Sequence, residues 1–122
     1  MITLFGIPNC DTVKKSRAWL LSQGLDYQFH DFKKQGVPAE ALAHWAQAVG
    51  WDVLLNKKGT TWRALDSAAQ TAVQDSASAQ AVMQAHPSSI KRPVVDWGQG
   101  RITVGFDFTA WQAGLTQTAL TP

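Results

Sequence analysis

Ile2-Thr3-Leu4-Phe5-Gly6-Ile7-Pro8-Asn9-Cys10-Asp11-Thr12-Val13-Lys14-Lys15 joins an apolar run to a helical pattern through a short turn, and the only cysteine of the chain stands at the joint. Ile2 to Phe5 suits a strand buried on both faces, which places it inside a sheet. A thiol in the first turn of a helix meets unpaired backbone N–H groups and the positive end of the helix dipole, both of which favour thiolate over thiol. Lys14 and Lys15 add positive charge nearby. A free cysteine titrates near pH 8.5, and such settings lower that to roughly 3.5 to 7.5. The competing reading is a buried structural cysteine, because free Cys is among the most buried residue types.

Outward from this joint, Asp11 to Gln23 carries Val13, Ser16 or Arg17, Leu20 and Leu21 at helical spacing, and Gly24 supplies the stop. Tyr27 to Phe32 alternates as a second strand. Strand, helix and strand in so short a span predict a right-handed βαβ unit with parallel strands. Pro38 suits the first position of a further helix, with Glu40 in its first turn, Leu42, Trp45, Ala46 and Val49 on one face, and Gly50 closing it. Val53-Leu54-Leu55 then leads into Asn56-Lys57-Lys58-Gly59-Thr60-Thr61-Trp62-Arg63, which reads as a basic, solvated turn. Asp66 to Ala85 is rich in Ala, Gln and Ser with a weak apolar stripe, and predicts two short helices. His86-Pro87-Ser88-Ser89 breaks the pattern, a strand begins at Pro93, and Gly98-Gln99-Gly100 turns it into a second strand over Arg101 to Gly105. A helix around Asp107 to Gly114 closes the domain, which spans 1–115; Thr116 to Pro122 lacks periodicity and reads as a frayed tail.

The chain has 122 residues, enough for one domain with a real core, and is 45% apolar and 16% charged; the charged share is below the roughly 25% typical of soluble proteins but far from a disordered or membrane composition. Its net charge of +2 comes from scattered Lys and Arg, which gives no case for nucleic acid or membrane partners but leaves small anions open. The opening residues lack a basic leader pattern, and no stretch approaches the roughly 18 apolar residues of a membrane span, so a cytoplasmic monomer is expected. Val13 stands where a Cys-x-x-Cys pair would place its second sulfur, so no intramolecular disulfide can form. If Cys10 does redox work, an external thiol must resolve its mixed disulfide, and glutathione is the cytosolic candidate. The three histidines, His30, His44 and His86, lack metal-ligand spacing and read as surface or satisfied side chains; no metal site is expected.

Four signatures then stand in order: Pro8-Asn9-Cys10-Asp11-Thr12 with Lys14 and Lys15, Lys57-Lys58-Gly59-Thr60-Thr61-Trp62-Arg63, Ser89-Ile90-Lys91-Arg92-Pro93-Val94-Val95, and Val104-Gly105-Phe106. Together they resemble the ArsC family, and more closely its YffB-type branch of arsenate-reductase-like proteins. The resemblance implies an α/β thioredoxin-like fold, a mixed β-sheet flanked by helices with a helical insertion between the βαβ and ββα halves. It implies a glutathione-dependent thiol reductase in which Cys10 and Arg92 are catalytic, Arg92 preceding a cis Pro93. Arg92 can offer a forked pair of donors to an oxyanion or carboxylate. Asn9, Thr12, Lys14, Lys58, Arg63 and Pro93 are the expected substrate- or glutathione-binding residues. No bound cofactor is expected; glutathione is the co-substrate, with glutaredoxin as a further thiol source and a small molecule or protein thiol as substrate.

The chain also departs from the arsenate-reducing pattern. Gly6 stands where those relatives carry a histidine, Val13 where they carry a serine, and Asn56 and the Val104-Gly105 region where they carry two anion-holding arginines. Each charge-assisted hydrogen bond is worth roughly 1.5 to 3 kcal/mol, so losing two predicts weak arsenate binding. The same superfamily contains transcriptional regulators that bind RNA polymerase, and the alternative that the resemblance leaves is such a regulator; those proteins usually carry a Cys-x-x-Cys switch, which Val13 removes here.

Overall fold

The computed structural model describes the backbone of residues 2–120 and the side chains of residues 2–114. The apolar opening run forms β1 (Ile2–Gly6), and α1 (Asp11–Ser22) follows from the turn that holds Cys10. The next element, β2 (Tyr27–Asp31), lies parallel to β1, as the βαβ reading requires. Four helices come next: α2 (Phe32–Gln35), α3 (Ala39–Val49), α4 (Trp51–Leu54) and α5 (Thr60–Ala64). Two more, α6 (Ser67–Thr71) and α7 (Ser76–Ala85), lead through a 3-10 turn at Pro87–Ser89 to β3 (Val94–Asp96). The chain then turns through Gly98 to Gly100 into β4 (Ile102–Val104) and on to α8 (Phe108–Leu120). The sheet has the order β2-β1-β3-β4, with β3 antiparallel to both β1 and β4. This is a mixed sheet flanked by helices, a thioredoxin-like topology with additional helices between its halves.

Alternation along the strands sorts the core into two layers. Leu4 and Val95, paired across β1 and β3, face Val13, Leu20, Trp19 and Trp111 on α1 and α8. Phe5 and Val94 point the other way, into a larger cluster with Ile7, Phe32, Leu42, Trp45, Leu54, Met83 and Ile90. Each fully buried side chain of this kind contributes about 1.5–3 kcal/mol relative to exposure. The Ala- and Ser-rich segment, with its weak apolar stripe, relies on its caps. Asp66 accepts the Ala69 N–H at 2.8 Å at the start of α6, and Asp75 accepts the Ser78 N–H at 2.9 Å at the start of α7.

Three sequence expectations are revised. The second strand stops at Asp31 rather than including Phe32. The Asp31 carboxylate accepts the Lys33 N–H at 2.9 Å while the Gln35 side-chain oxygen accepts the Asp31 N–H at 3.1 Å, and these reciprocal bonds convert the strand end into α2. The solvated turn after Asn56 contains a helix, α5, because Trp62 is buried and draws Thr60 to Ala64 against the core. The expected tail from Thr116 begins inside α8, whose backbone is helical to Leu120; residues 121 and 122 lie outside the described residues.

The turn between β1 and α1 is possible because Gly6 has no side chain. A Cβ on Gly6 would lie 2.9 Å from Val13 Cγ2, and Val13 is itself fully buried on α1. Val13 is β-branched and fixed in its helical rotamer, so it cannot swing aside. Gly6→Ala should therefore lower the free energy of urea unfolding by about 1–3 kcal/mol. In a Val13→Ala background the same change should cost clearly less, and equal costs in the two backgrounds would show that the contact is not what limits Gly6.

Candidate active site

Cys10 occupies the N-cap of α1, with extended backbone (φ −138°, ψ 124°), and its own carbonyl accepts the Lys14 N–H at 2.9 Å. No side-chain cap of conventional geometry is formed there. A neutral thiol is a weak acceptor, so the donors around it favour the ion. Partial burial pushes the Cys10 thiol up; against it act the Val13 N–H, the Arg92 guanidinium through both a hydrogen bond and its charge, and the Thr12 N–H. Together they outweigh burial, and the thiol lies below its ordinary value. Lys14 and Lys15 are exposed on α1 and are not among the groups that act on the sulfur.

Arg92 reaches Cys10 from the segment that precedes β3. The Arg92–Pro93 peptide is cis, Pro93 is buried, and the Pro93 carbonyl accepts the Gly105 N–H at 2.8 Å. Arg92 Nη1 donates to the Ser88 carbonyl at 3.1 Å, which anchors one edge of the guanidinium. Its Nε is buried without a protein acceptor.

Around this pair opens a cleft of about 300 Å³, lined by Ile7, Asn9, Cys10, Lys33, Asn56, Gly59, Thr60, Thr61, Ser88 and Arg92. That volume is at the small end of the range for ligand sites. The far wall is the loop after α4, and backbone pairing holds it in place. Leu55 and Ile90 form an antiparallel bridge, Asn56 N–H donates to the Ser89 carbonyl at 2.8 Å, and Lys91 N–H donates to the Leu54 carbonyl at 2.7 Å. Asn56 shapes the wall: its side-chain oxygen accepts the Lys58 N–H at 3.2 Å, and a Cβ on Gly59 would lie 2.8 Å from Asn56 Nδ2.

Of the residues expected from sequence, Cys10, Arg92 and Asn9 line the cleft, Thr12 supplies a backbone N–H, and Pro93 sits behind Arg92 in the core. Lys14, Lys58 and Arg63 are exposed and do not line it. In α1 the Val13 side chain goes to the core and turns Lys14 outward; in α5 buried Trp62 does the same to Arg63. The neighbouring Lys57 rests between the Trp51 and Trp62 rings, 5.7 and 5.6 Å from their centroids. The sequence reading missed Lys33, Thr60, Thr61 and Ser88. Lys33 was within reach of the argument: parallel pairing sets Gly6 beside Asp31, so residues just past both strands share the carboxyl edge of the sheet, where sites collect. His30 bonds the Gly36 carbonyl through Nε2 at 2.8 Å, while His44 and His86 are exposed. Among the described residues no group of His, Cys, Asp or Glu gathers to hold a metal ion, and no helix is long and apolar enough to cross a membrane.

The sequence matches the ArsC family over residues 5–113. The chain belongs to the ArsC family. Among solved structures it is similar to a YFFB protein, with 45% identity, a TM-score of 0.89, and coverage of 94% of this chain and 99% of that one. It is also similar to an arsenate reductase (ArsC) related protein from Brucella melitensis, with 46% identity, a TM-score of 0.72 and coverage of 93% of each chain. An uncharacterized protein of Haemophilus influenzae is 39% identical over 113 residues, covering 93% of this chain and 97% of that protein. Within the ArsC family this member therefore carries its thiol chemistry on a single cysteine, Cys10.

The lowered thiol leads to a pH dependence of stability. A group whose pKa is depressed on folding stabilises the native state fully above its unfolded value, near 8.5 for a thiol, and loses that contribution as pH falls through the folded value. Unfolding free energy should thus rise from neutral pH towards about pH 9 more steeply in the parent protein than in Cys10→Ser. Superimposable profiles would mean that the folded protein does not favour the Cys10 thiolate.

Proposed function

We propose that the chain is a glutathione-dependent thiol reductase in which Cys10 is the nucleophile and Arg92 its catalytic partner. The observation that supports this most is the meeting of the only cysteine with the Arg92 guanidinium and two helix N–H groups on an open, cationic cleft. The Cys10 thiolate attacks one sulfur of an oxidised substrate RS–SR′; the Cys10–S–SR′ bond forms, the substrate S–S bond breaks, and RS⁻ leaves with the electron pair. A glutathione thiolate then attacks the mixed disulfide, and Cys10 leaves as the thiolate that its surroundings favour. Because the chain has one cysteine, the second attack must come from outside it, from glutathione or from a glutaredoxin. Arg92 lines the cleft beside the sulfur, where its guanidinium stabilises the thiolate and can orient an oxyanion or carboxylate. Asn9, Thr60 and Thr61 supply neutral polar groups on the same cleft.

Arsenate fits this cleft less well. Gly6 and Val13 are packed against each other where the arsenate-reducing pattern has histidine and serine, and Asn56 is occupied in shaping its own turn.

Incubation with oxidised glutathione should yield one glutathione adduct per chain by intact mass spectrometry, none in Cys10→Ser, and reduced glutathione should release it. Arsenate should be turned over slowly with glutathione and glutaredoxin present. Failure to form an adduct, together with RNA polymerase binding that is unchanged in Cys10→Ser, would replace this reading with that of a polymerase-binding regulator. Rapid arsenate reduction would show that the two missing arginines are not needed.

A further inference from the structure

Two cations line the cleft, Arg92 and Lys33, and no carboxylate does. Arg92 is committed to the Ser88 carbonyl through Nη1, and its charge acts on the Cys10 sulfur. Lys33 sits on α2, and local hydrogen bonds and the burial of Phe32 fix its backbone. The buried Asp31 carboxylate accepts the Lys33 N–H, Gln35 accepts the Asp31 N–H, Phe32 beside it is 1% exposed, and His30 bonds the Gly36 carbonyl at the far end. This framework directs Lys33 to the cleft and leaves Lys34, also exposed, outside the lining. None of these bonds uses the Lys33 ammonium, which is exposed to solvent at the rim.

We propose that Lys33 selects the partner of the Cys10 thiolate by charge, so that the cleft reacts preferentially with small disulfides that bear carboxylates. The proposal rests on the reading of Cys10 as the nucleophile. In the reaction Cys10–S⁻ displaces RS⁻ from RS–SR to give Cys10–S–SR, and Lys33 takes no proton and no electrons. Its ammonium attracts a carboxylate of R while Arg92 remains with the sulfur, which holds the scissile bond near Cys10. An exposed cation acts through screened charge, so its effect is modest and falls with salt.

The test compares second-order rate constants of Cys10 with three disulfides at low ionic strength: anionic oxidised glutathione, neutral hydroxyethyl disulfide and cationic cystamine. The ratio of the anionic to the neutral rate should fall about three- to fivefold in Lys33→Gln, return in Lys33→Arg, and turn in favour of cystamine in Lys33→Glu. Lys34→Gln should leave the ratio unchanged, and added salt should bring the parent ratio down towards that of Lys33→Gln. Identical ratios in the parent, Lys33→Gln and Lys33→Glu would overturn the assignment of Lys33 alone. A parent protein whose Cys10 reacts with none of the three disulfides would overturn the nucleophile reading and this proposal with it.

Discussion

The site depends on one strand register. β1 and β3 pair antiparallel with Phe5 opposite Val94 and Leu4 opposite Val95. Continued past both strand ends, the same register sets Gly6 level with Pro93 and Ile7 level with Arg92, so the turn that carries Cys10 and the segment that carries Arg92 grow from adjacent strand ends. A slip of one residue would exchange the two faces, sending Leu4 and Phe5 into each other's layers and Arg92 away from the thiol. The two hydrophobic clusters oppose that slip from both sides of the sheet, because each depends on the alternation of the same short strands. Core packing and the position of the guanidinium are thus one constraint.

The chemistry that results is electrostatic. No side-chain base is needed to ionise Cys10: backbone N–H groups of α1 and a fixed guanidinium act on the sulfur, and their sum exceeds the cost of partial burial. Removing the side chain at position 6 lets Val13 pack tightly under the turn, so the N–H of Val13 is held by the core rather than by a hydrogen-bond network. The opposite wall is built equally from backbone, through the bridge of Leu55 with Ile90 and the two amide bonds that flank it. Main-chain pairing, rather than the side chains that line the cleft, thus sets the position of this wall.

Much of this was legible in the amino-acid sequence, because the decisive signals are local. The apolar run before Cys10, the stop at Gly24, the proline at position 93 and the glycines between β3 and β4 each fix a nearby conformation, and the βαβ and ββα halves follow. What was not legible depends on contacts distant in sequence. Lys14, Lys58 and Arg63 were chosen for charge and proximity along the chain, and buried Val13 and Trp62 turn two of them away. Lys33 is a local exception: Tyr27 to Phe32 alternates like a continuing strand, and the short-range Asp31 and Gln35 bonds end that strand in the helical turn that brings Lys33 to the cleft. The loop after Asn56 reads as solvated, and its pairing with residues 89–91 cannot be inferred from its own composition.

Direct titration of the Cys10 thiolate by its ultraviolet absorbance tests the central claim most plainly. In the parent protein the midpoint should lie below the ordinary thiol value near 8.5, and in Arg92→Gln it should move up towards that value while the fold, followed by circular dichroism, is retained. A parent midpoint at or above the ordinary value, or one that Arg92→Gln leaves unmoved, would contradict the account.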